Sequence, residues 1–131
     1  MCALVGGVAG ARAIEETKRD LEGSRLLAPL VGHVGDGNFH VFLLMREGSE
    51  EDEEEARRLN ARMVRRAVRL GGTCTGEHGV GVGKRGYLEA ELGAGALGVM
   101  ASVKRALDPR HLLNPGKVLP DAYGPVVVER S

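Results

Sequence analysis

Two histidines flank Asp36-Gly37 in the segment VGHVGDGNFH, residues 31–40. Asp-Gly between two strand-like runs is a strong signal for a tight hairpin. If the dipeptide forms a two-residue loop, His33 lies directly opposite His40, with both side chains on one face and Cβ atoms ~4.5–5.5 Å apart. Two imidazoles so placed could share one metal ion, because a histidine–metal bond is ~2.0–2.1 Å long. Judged on this pair alone, a structural role for both histidines is slightly favoured over a shared metal ion.

A second cluster of reactive side chains lies in the segment Thr75-Gly76-Glu77-His78-Gly79. Glu77 could complete a His, His, Glu set, which is an ordinary ligand set for a divalent ion with an open position. Neighbouring side chains usually diverge, so His78 could instead face the substrate as a general base. The alternative is a pair of loop surface residues, which the flanking glycines disfavour because they let the backbone approach a ligand closely. The nearby Cys74 thiol is predicted to be buried.

Composition restricts the class of protein. The chain has 131 residues, which suits one domain, and its formal net charge of zero does not indicate a partner such as nucleic acid. No apolar run approaches the ~18 residues of a membrane helix. The two cysteines make no disulfide framework, so we expect reduced thiols in a reducing compartment. The N-terminal residues show no obvious targeting signal, strand or helix cap.

The hydrophobic pattern predicts a helix, two strands, a helix, a glycine-rich loop and a last helix. Their predicted bounds are 12–23, 26–34, 38–45, 49–70, 71–86 and 87–107. The second strand is nearly all apolar after Asn38, so we expect it to be covered on both faces. The last helix is predicted to end before Asp108-Pro109.

The second helix carries the clearest local signals. Ser49 is its predicted N-cap, with Asp52 in the place that Glu takes in a capping box. Acidic residues crowd its first turns and arginines its last, which suits the helix dipole, and ion pairs four residues apart such as Glu53–Arg57 are expected. Its buried stripe is predicted to consist of Ala56, Leu59, Met63, Ala67 and Leu70.

The last helix is predicted to bury one apolar face, formed by Ala96, Met100, Val103 and Leu107. Two strands alone make only a marginal sheet. An all-apolar second strand requires further strands and another layer of structure. The sequence therefore indicates that the chain is one part of a larger folded unit.

Three segments together resemble the C-terminal part of FAD-linked D-2-hydroxy-acid dehydrogenases, whose FAD domain is of the vanillyl-alcohol-oxidase type. The segments are GHVGDGNFH, GTCTGEHGVGVGK and LDPRHLLNPGKVL. They occur in the family's order, the resemblance runs from about residue 15 to about residue 119, and it is strongest to mitochondrial, cytochrome-linked members. It implies an α+β fold, the C-terminal half of a ferredoxin-like substrate domain with helices packed on an antiparallel sheet.

The resemblance also implies roles for particular residues. His33, His40 and Glu77 would bind a divalent metal, zinc or manganese, which as a Lewis acid would polarise and orient a 2-hydroxy-carboxylate. His78 would take the proton from the substrate hydroxyl, while FAD takes the hydride from the same carbon. Asn114, where the family's chain end returns toward the flavin, would contact the cofactor, although a structural turn is at least as good an interpretation.

The resemblance further implies a substrate, an acceptor and a location. Relatives that act on 2-hydroxyglutarate carry a substrate-contacting Asn two residues after the second metal histidine, and this chain has Phe42 there. That difference favours a small or apolar 2-hydroxy acid such as D-lactate. Resemblance to the cytochrome-linked members implies an electron acceptor such as cytochrome c and a mitochondrial location.

The family's FAD-binding domain and the first strands of its substrate domain precede the segment that this chain resembles. We therefore expect residues 1–131 to be the C-terminal part of the substrate domain, unable by themselves to hold FAD firmly or to turn over substrate. Two alternatives use the same residues. One is a non-catalytic metal-binding module with the same His, His, Glu set, and the other is an inactive truncated product.

Overall fold

A computed structural model describes residues 2–5 and 7–124 of the chain. The chain forms two compact units, Met1–Gly79 and Val80–Ser131. The first unit contains β1 (Cys2–Leu4), α1 (Gly7–Glu22), β2 (Leu30–His33), β3 (Asn38–Val41) and α2 (Glu50–Arg69), and the second contains α3 (Leu88–Leu107). The predicted α+β class is confirmed. Among the described residues, no helix is long and apolar enough to cross a membrane.

The first unit is built on a three-stranded antiparallel sheet in the order β1-β3-β2, so β3 is central. Successive residues of a strand point to opposite faces. Phe39 and Val41 therefore share one face, and both are fully buried. They form a core with apolar residues of the two helices and the chain after β1: Val5, Ala13, Met63 and Ala67. Helices α1 and α2 thus cover this face of the sheet.

The prediction that the N-terminal residues form no strand is wrong. β1 pairs with β3, with Ala3 opposite Phe39. Three residues are too few to show an alternating pattern, and the pairing depends on a strand far along the sequence. Helix α1 also begins earlier than predicted, at Gly7. A Cβ at Gly10 would lie 2.4 Å from the Val5 carbonyl oxygen, so glycine permits the tight turn from β1 into α1.

The two later strands are shorter than predicted, but their pairing continues irregularly beyond them. Phe42 N donates to Pro29 O and Leu44 N to Leu27 O, both at 3.0 Å. The expectation that both faces of this strand are covered is wrong for the described residues, since Phe42 and Leu44 are each 54% exposed. Helices α1 and α2 pack on the face that carries Phe39, and on the other face Phe42 and Leu44 are open.

Helix α2 begins as predicted, with Ser49 Oγ accepting a hydrogen bond from Asp52 N at 3.3 Å. The other bond of a capping box, in which the Asp52 side chain would accept from Ser49 N, was predicted wrongly. The Asp52 carboxylate instead accepts from Arg46 N at 3.1 Å and Arg46 Nε at 2.9 Å. The Arg46 guanidinium holds the pKa of Asp52 far below its usual range. Of the predicted stripe, Leu59, Met63 and Ala67 are buried.

The arginines at the end of α2 join it to α1. Arg66 donates to Thr17 Oγ1 and to Asp20 Oδ2, both at 2.9 Å, and Arg62 donates to Asp20 at 3.1 Å. Partial burial opposes ionisation of Asp20, but the bonds from Arg66 and Arg62 outweigh it and hold the pKa of Asp20 below its usual value. These arginines therefore connect the helices, beyond their effect on the helix dipole.

The ion pairs along α2 are spaced differently from the prediction. Arg57 Nε lies 3.2 Å from a carboxylate oxygen of Glu54, and Arg58 Nη2 lies 2.9 Å from one of Glu55. Both pairs are three residues apart rather than four. Residues at either spacing are neighbours on a helix, so the side-chain rotamers decide which pair forms.

In the second unit, α3 buries a different face from the one predicted. Leu97 and Ala101 are buried, whereas Val103 and Leu107 are exposed, Leu107 at 78%. Gly93 interrupts the element with a φ of 79°, but the predicted residues, Leu97 and Ala101 all follow it. Leu97 and Ala101 are four residues apart and share one side of the helix, which is turned by one residue from the predicted side. Apolar residues lie on both sides, so the sequence pattern alone does not give the buried face.

A buried carboxylate follows α3 and organises the next turn. Asp108 accepts hydrogen bonds from Leu112 N and Leu113 N, both at 2.9 Å, and from Lys104 Nζ at 2.6 Å. The hydrogen bond from Lys104 is the largest cause that lowers the pKa of Asp108 to about 2. The prediction that the helix ends before Asp108-Pro109 is confirmed.

Candidate metal centre

Strands β2 and β3 place His33 and His40 on one face of the sheet, but not in the predicted register. His33 pairs with Asn38 rather than with His40, so the two-residue hairpin is wrong. Val34–Asp36 form a 3-10 turn, and Gly37 follows with a left-handed φ of 71°. The register differs by two residues, and an even shift keeps both histidines on the same face. Their ring centroids are 6.2 Å apart.

The loop after α2 brings Glu77 to this pair of histidines. Glu77 Oε1 lies 3.2 Å from His40 Nε2. One ligand atom from each of His33, His40 and Glu77 lies within 4.8 Å of the other two. Among the His, Cys, Asp and Glu side chains that the structure describes, these three form the group that could hold a metal ion. The sequence-predicted residues are therefore together in space.

The separation of His40 and Glu77 suits a common ion. Metal–ligand bonds of roughly 2.0–2.2 Å place two ligand atoms of one ion roughly 2.8–4.4 Å apart, as the angle between them goes from 90° to 180°. The 3.2 Å between His40 Nε2 and Glu77 Oε1 lies near the short end of that range. The side chain of His40 is 13% exposed and that of Glu77 is 53% exposed, so one side of the group is open. Two imidazole nitrogens and a carboxylate oxygen are ligands that zinc and manganese both accept, so the residues present fit either ion.

The loop that carries Glu77 is held by short-range contacts. Thr75 Oγ1 donates to Gly79 O at 2.8 Å, which closes a short loop with Glu77 and His78 at its tip. Gly79 has a left-handed φ of 72°, a conformation that favours glycine. Cys74 at the start of the loop is fully buried, as predicted. The loop is therefore anchored at its base and exposes its tip.

His78 lies beside the three-residue group. Its ring centroid is 5.5 Å from that of His40, and its Nε2 is 3.6 Å from Glu77 Oε1. The His78 side chain is 67% exposed. An imidazole in this position can reach a molecule bound at the group without being one of the three nearest ligands.

Asn38 belongs to the same site, although no role was predicted for it from the sequence. It is 5% exposed, and its Nδ2 lies 3.4 Å from His40 Nε2. Residues two apart in a strand share a face, so the spacing of Asn38 and His40 within β3 was the signal that could have placed it here.

Apolar side chains continue this face of the sheet beyond the histidines. Val31 pairs with His40 and therefore lies on the same face, and it is exposed. Phe42, two residues after His40, and Leu44 are exposed as well. We call the three residues that could hold an ion the metal group: His33, His40 and Glu77. A molecule bound there would have apolar surface beside it.

In the second unit, Asn114 forms a turn. It has a left-handed φ of 46°, and its carbonyl and its Oδ1 each accept a hydrogen bond from Lys117 at 3.3 Å. His111 and Val118 also have left-handed φ values, 52° and 69°. A cavity of about 80 Å³ lies at this turn, and its lining includes the cations Arg85, Lys104 and Lys117. The geometry shows a structural turn, and a cofactor contact by Asn114 stays a prediction.

Residues 9–118 of the chain match the protein family described as FAD linked oxidases, C-terminal domain. The chain is 50% identical over 110 residues to the mitochondrial D-lactate dehydrogenase [cytochrome] of Arabidopsis thaliana, covering 84% of this chain and 19% of that protein. It is 49% identical over 107 residues to the mitochondrial D-lactate dehydrogenase [cytochrome] 1 of Saccharomyces cerevisiae, covering 82% and 18%.

A further relative is the glycolate oxidase subunit GlcD of Bacillus subtilis, 43% identical over 100 residues, which cover 76% of this chain and 21% of that protein. The chain thus spans about a fifth of the length of these curated relatives.

Proposed function

The chain belongs to the FAD-linked oxidase C-terminal domain family, and on that premise we propose that it is the metal- and substrate-binding part of an FAD-dependent D-2-hydroxy-acid dehydrogenase. The proposed substrate is D-lactate, and the product is pyruvate. One observation carries the proposal: ligand atoms of His33, His40 and Glu77 lie within 4.8 Å of one another, with His78 beside them.

His33, His40 and Glu77 are the proposed ligands of a zinc or manganese ion. When bound, the metal would act as a Lewis acid that polarises and orients the 2-hydroxy-carboxylate. The chain supports this by its geometry: the strand pairing places both imidazoles on one face, and the anchored loop presents the carboxylate to them. The partly exposed Glu77 leaves room for the oxygen atoms of a substrate.

His78 is the proposed general base. As a neutral imidazole it would take the hydroxyl proton of the substrate and hold it on a ring nitrogen. Its exposure and its position beside His40 support this role, because a base must reach the substrate without being a permanent metal ligand. FAD, bound by a domain outside the matched segment, would accept the hydride from the same carbon. Loss of that proton and that hydride converts a 2-hydroxy acid to a 2-oxo acid.

The side chain of the proposed substrate follows from the exposed apolar surface. Phe42 lies two residues after His40, and Val31 pairs with His40 on the same face. A methyl group can lie against such a surface, whereas a second carboxylate would lose hydration there without a partner. This supports D-lactate over a dicarboxylic 2-hydroxy acid.

The electron acceptor and the location are proposed from the relatives. Two of them are named as cytochrome D-lactate dehydrogenases and as mitochondrial. We propose a cytochrome acceptor such as cytochrome c and a mitochondrial location for the full-length protein. Asn114 is proposed to contact FAD, as the resemblance to the family implies.

A chimera tests the proposal. Residues 9–118 would replace the matching segment of the Saccharomyces cerevisiae relative, and flavin bleaching by D-lactate would be followed without oxygen. We expect bleaching, and a loss of about 10²–10⁴-fold in its rate for His78→Gln. Ser102→Ala is the control, because Ser102 is an exposed residue of α3 that belongs neither to the metal group nor to the cavity at Asn114. A chimera that retains FAD but is not bleached by D-lactate contradicts the proposal.

The chain by itself is proposed to bind metal but neither to hold FAD firmly nor to turn over substrate. Purified protein can be incubated with FAD, passed through a desalting column and scanned for flavin absorbance. We expect a colourless chain without dye-reducing activity on D-lactate. A yellow, active chain would show that residues 1–131 suffice for the reaction.

A further inference from the structure

We propose that Asn38 is a positioning residue that fixes the loop carrying Glu77 against β3 and so sets the separation of Glu77 from His40. This inference rests on the proposed metal site. Asn38 does not have to bind the ion. It acts through the two residues that lie on either side of its carboxamide.

On one side, the carboxamide of Asn38 touches the imidazole of His40. Asn38 Nδ2 lies 3.4 Å from His40 Nε2, and the two residues share one face of β3. Nε2 is also the atom that lies 3.2 Å from Glu77 Oε1. A shift of the amide therefore moves the nitrogen that faces the carboxylate.

On the other side, the carboxamide lies against the backbone of Gly76, the residue immediately before Glu77. A Cβ added to Gly76 would lie 2.3 Å from Asn38 Oδ1 and 3.0 Å from its Cγ. Real Cβ atoms do not approach other atoms so closely, so a side chain at residue 76 would require the Asn38 amide or the loop to shift. Gly76 has no left-handed φ, so the constraint at this position is the neighbouring amide rather than the backbone conformation.

Asn38 also carries an unsatisfied polar atom. Its Oδ1 is buried and makes no hydrogen bond to any residue that the structure describes. Buried polar side-chain atoms are usually hydrogen-bonded, so an exception in a native protein calls for an explanation, and a role at a neighbouring site is one such explanation. An apolar side chain of similar size would avoid this cost but would place no polar atom beside the His40 imidazole. A role at the metal group therefore explains this buried amide better than a packing role in the hydrophobic core.

A double-mutant cycle tests the inference in the full 131-residue chain. The variants are Asn38→Ala, Gly76→Ala and the double variant, and the measurement is the Kd for Mn²⁺ and Co²⁺. We expect Asn38→Ala to weaken binding by about 10–100-fold, the range for residues that orient metal ligands. Gly76→Ala should weaken it as well, because its methyl group displaces the amide. The double variant should bind no more weakly than Asn38→Ala, since the truncated residue 38 leaves space for the methyl group.

The Co²⁺ absorption spectrum separates positioning from a general loss of structure. If Asn38 acts through the loop, the spectrum of Asn38→Ala shifts toward that of Glu77→Gln, because both lose the Glu77 oxygen from the ion. Gly83→Ala is the matched control: a Cβ there meets no atom within 4 Å, so its Kd should equal that of the wild type. Melting of the metal-free proteins shows whether each variant is folded.

Two results overturn the inference alone. One is an Asn38→Ala chain with wild-type Kd and spectrum, and the other is a double variant whose loss of affinity is the product of the two single losses. A wild-type chain that binds neither ion overturns the proposed metal site and this inference together. The two failures are therefore distinguishable.

Discussion

Replacing His40 with alanine removes the residue on which the metal group is centred. His40 Nε2 lies 3.2 Å from Glu77 Oε1, and the His40 ring lies 6.2 Å from that of His33 and 5.5 Å from that of His78. Loss of a residue that only orients a metal ligand costs about 10–100-fold in affinity. Loss of this proposed direct ligand should cost at least the upper end of that range.

The expected size of the effect on stability follows from mass action. At a free metal concentration of 100 times Kd, binding stabilises the wild type by about 2.7 kcal/mol. At the same concentration, a variant that binds 100-fold more weakly gains only about 0.4 kcal/mol. For a chain of this length, 1 kcal/mol corresponds to roughly 3–5 °C in Tm. Metal should therefore raise the Tm of the wild type by roughly 10 °C and that of His40→Ala by less than ~2 °C.

Thermal unfolding with and without Mn²⁺ or Zn²⁺ measures these shifts, each protein being compared with its own metal-free form. That comparison removes any effect of the substitution on the metal-free fold. His111→Asn is the control, since it removes a histidine outside the metal group, and its metal-induced shift should match that of the wild type. An equal shift for His40→Ala and the wild type would mean that the ion binds elsewhere, and the metal assignment would be refuted.

Three further outcomes are expected. Ser49→Ala should cost about 1 kcal/mol in urea unfolding, because it removes the N-cap hydrogen bond of α2. Leu97→Ala should cost about 2–5 kcal/mol because Leu97 is fully buried, whereas Leu107→Ala, at an exposed position, should change stability by less than ~0.5 kcal/mol. Asp108 has its pKa lowered to about 2 from 3.8, first by Lys104, so its stabilising effect is present above pH 3.8 and is lost as pH falls toward 2. Asp108→Asn should therefore melt below the wild type at neutral pH, and the two Tm curves should converge over that acid range.

Each of these outcomes has a control or a contrary result. Ser102→Ala, on the exposed surface of α3, should be nearly neutral, so an equal cost at Ser49 and Ser102 would contradict the role of the cap. Equal costs at Leu97 and Leu107 would contradict the buried face assigned to α3. Parallel Tm curves for Asp108→Asn and the wild type between pH 5 and 2 would show that this carboxylate is not the group that titrates.

The local parts of the fold were open to prediction because their signals are local. The N-cap at Ser49 and the end of α3 before Asp108 depend on a few neighbouring residues, and the structure agrees with both. The chemistry of the site could be named in the same way, because the residue types at His33, His40 and Glu77 form a metal ligand set. Their placement on one face tolerated an error in register, since an even shift leaves the alternation of a strand unchanged.

Other features were decided only when distant segments met. β1 exists because it pairs with β3, and Arg66 at the end of α2 donates hydrogen bonds to Thr17 and Asp20 of α1. The position of Asn38 between His40 and Gly76 requires the loop after α2 to lie on the sheet. No periodicity within one segment records such a contact, because its energy arises from two surfaces that are separated in the chain. The sequence by itself thus determined the ligand types and the main helices, and the tertiary structure decided the strand register, the buried face of α3 and the distances within the metal group.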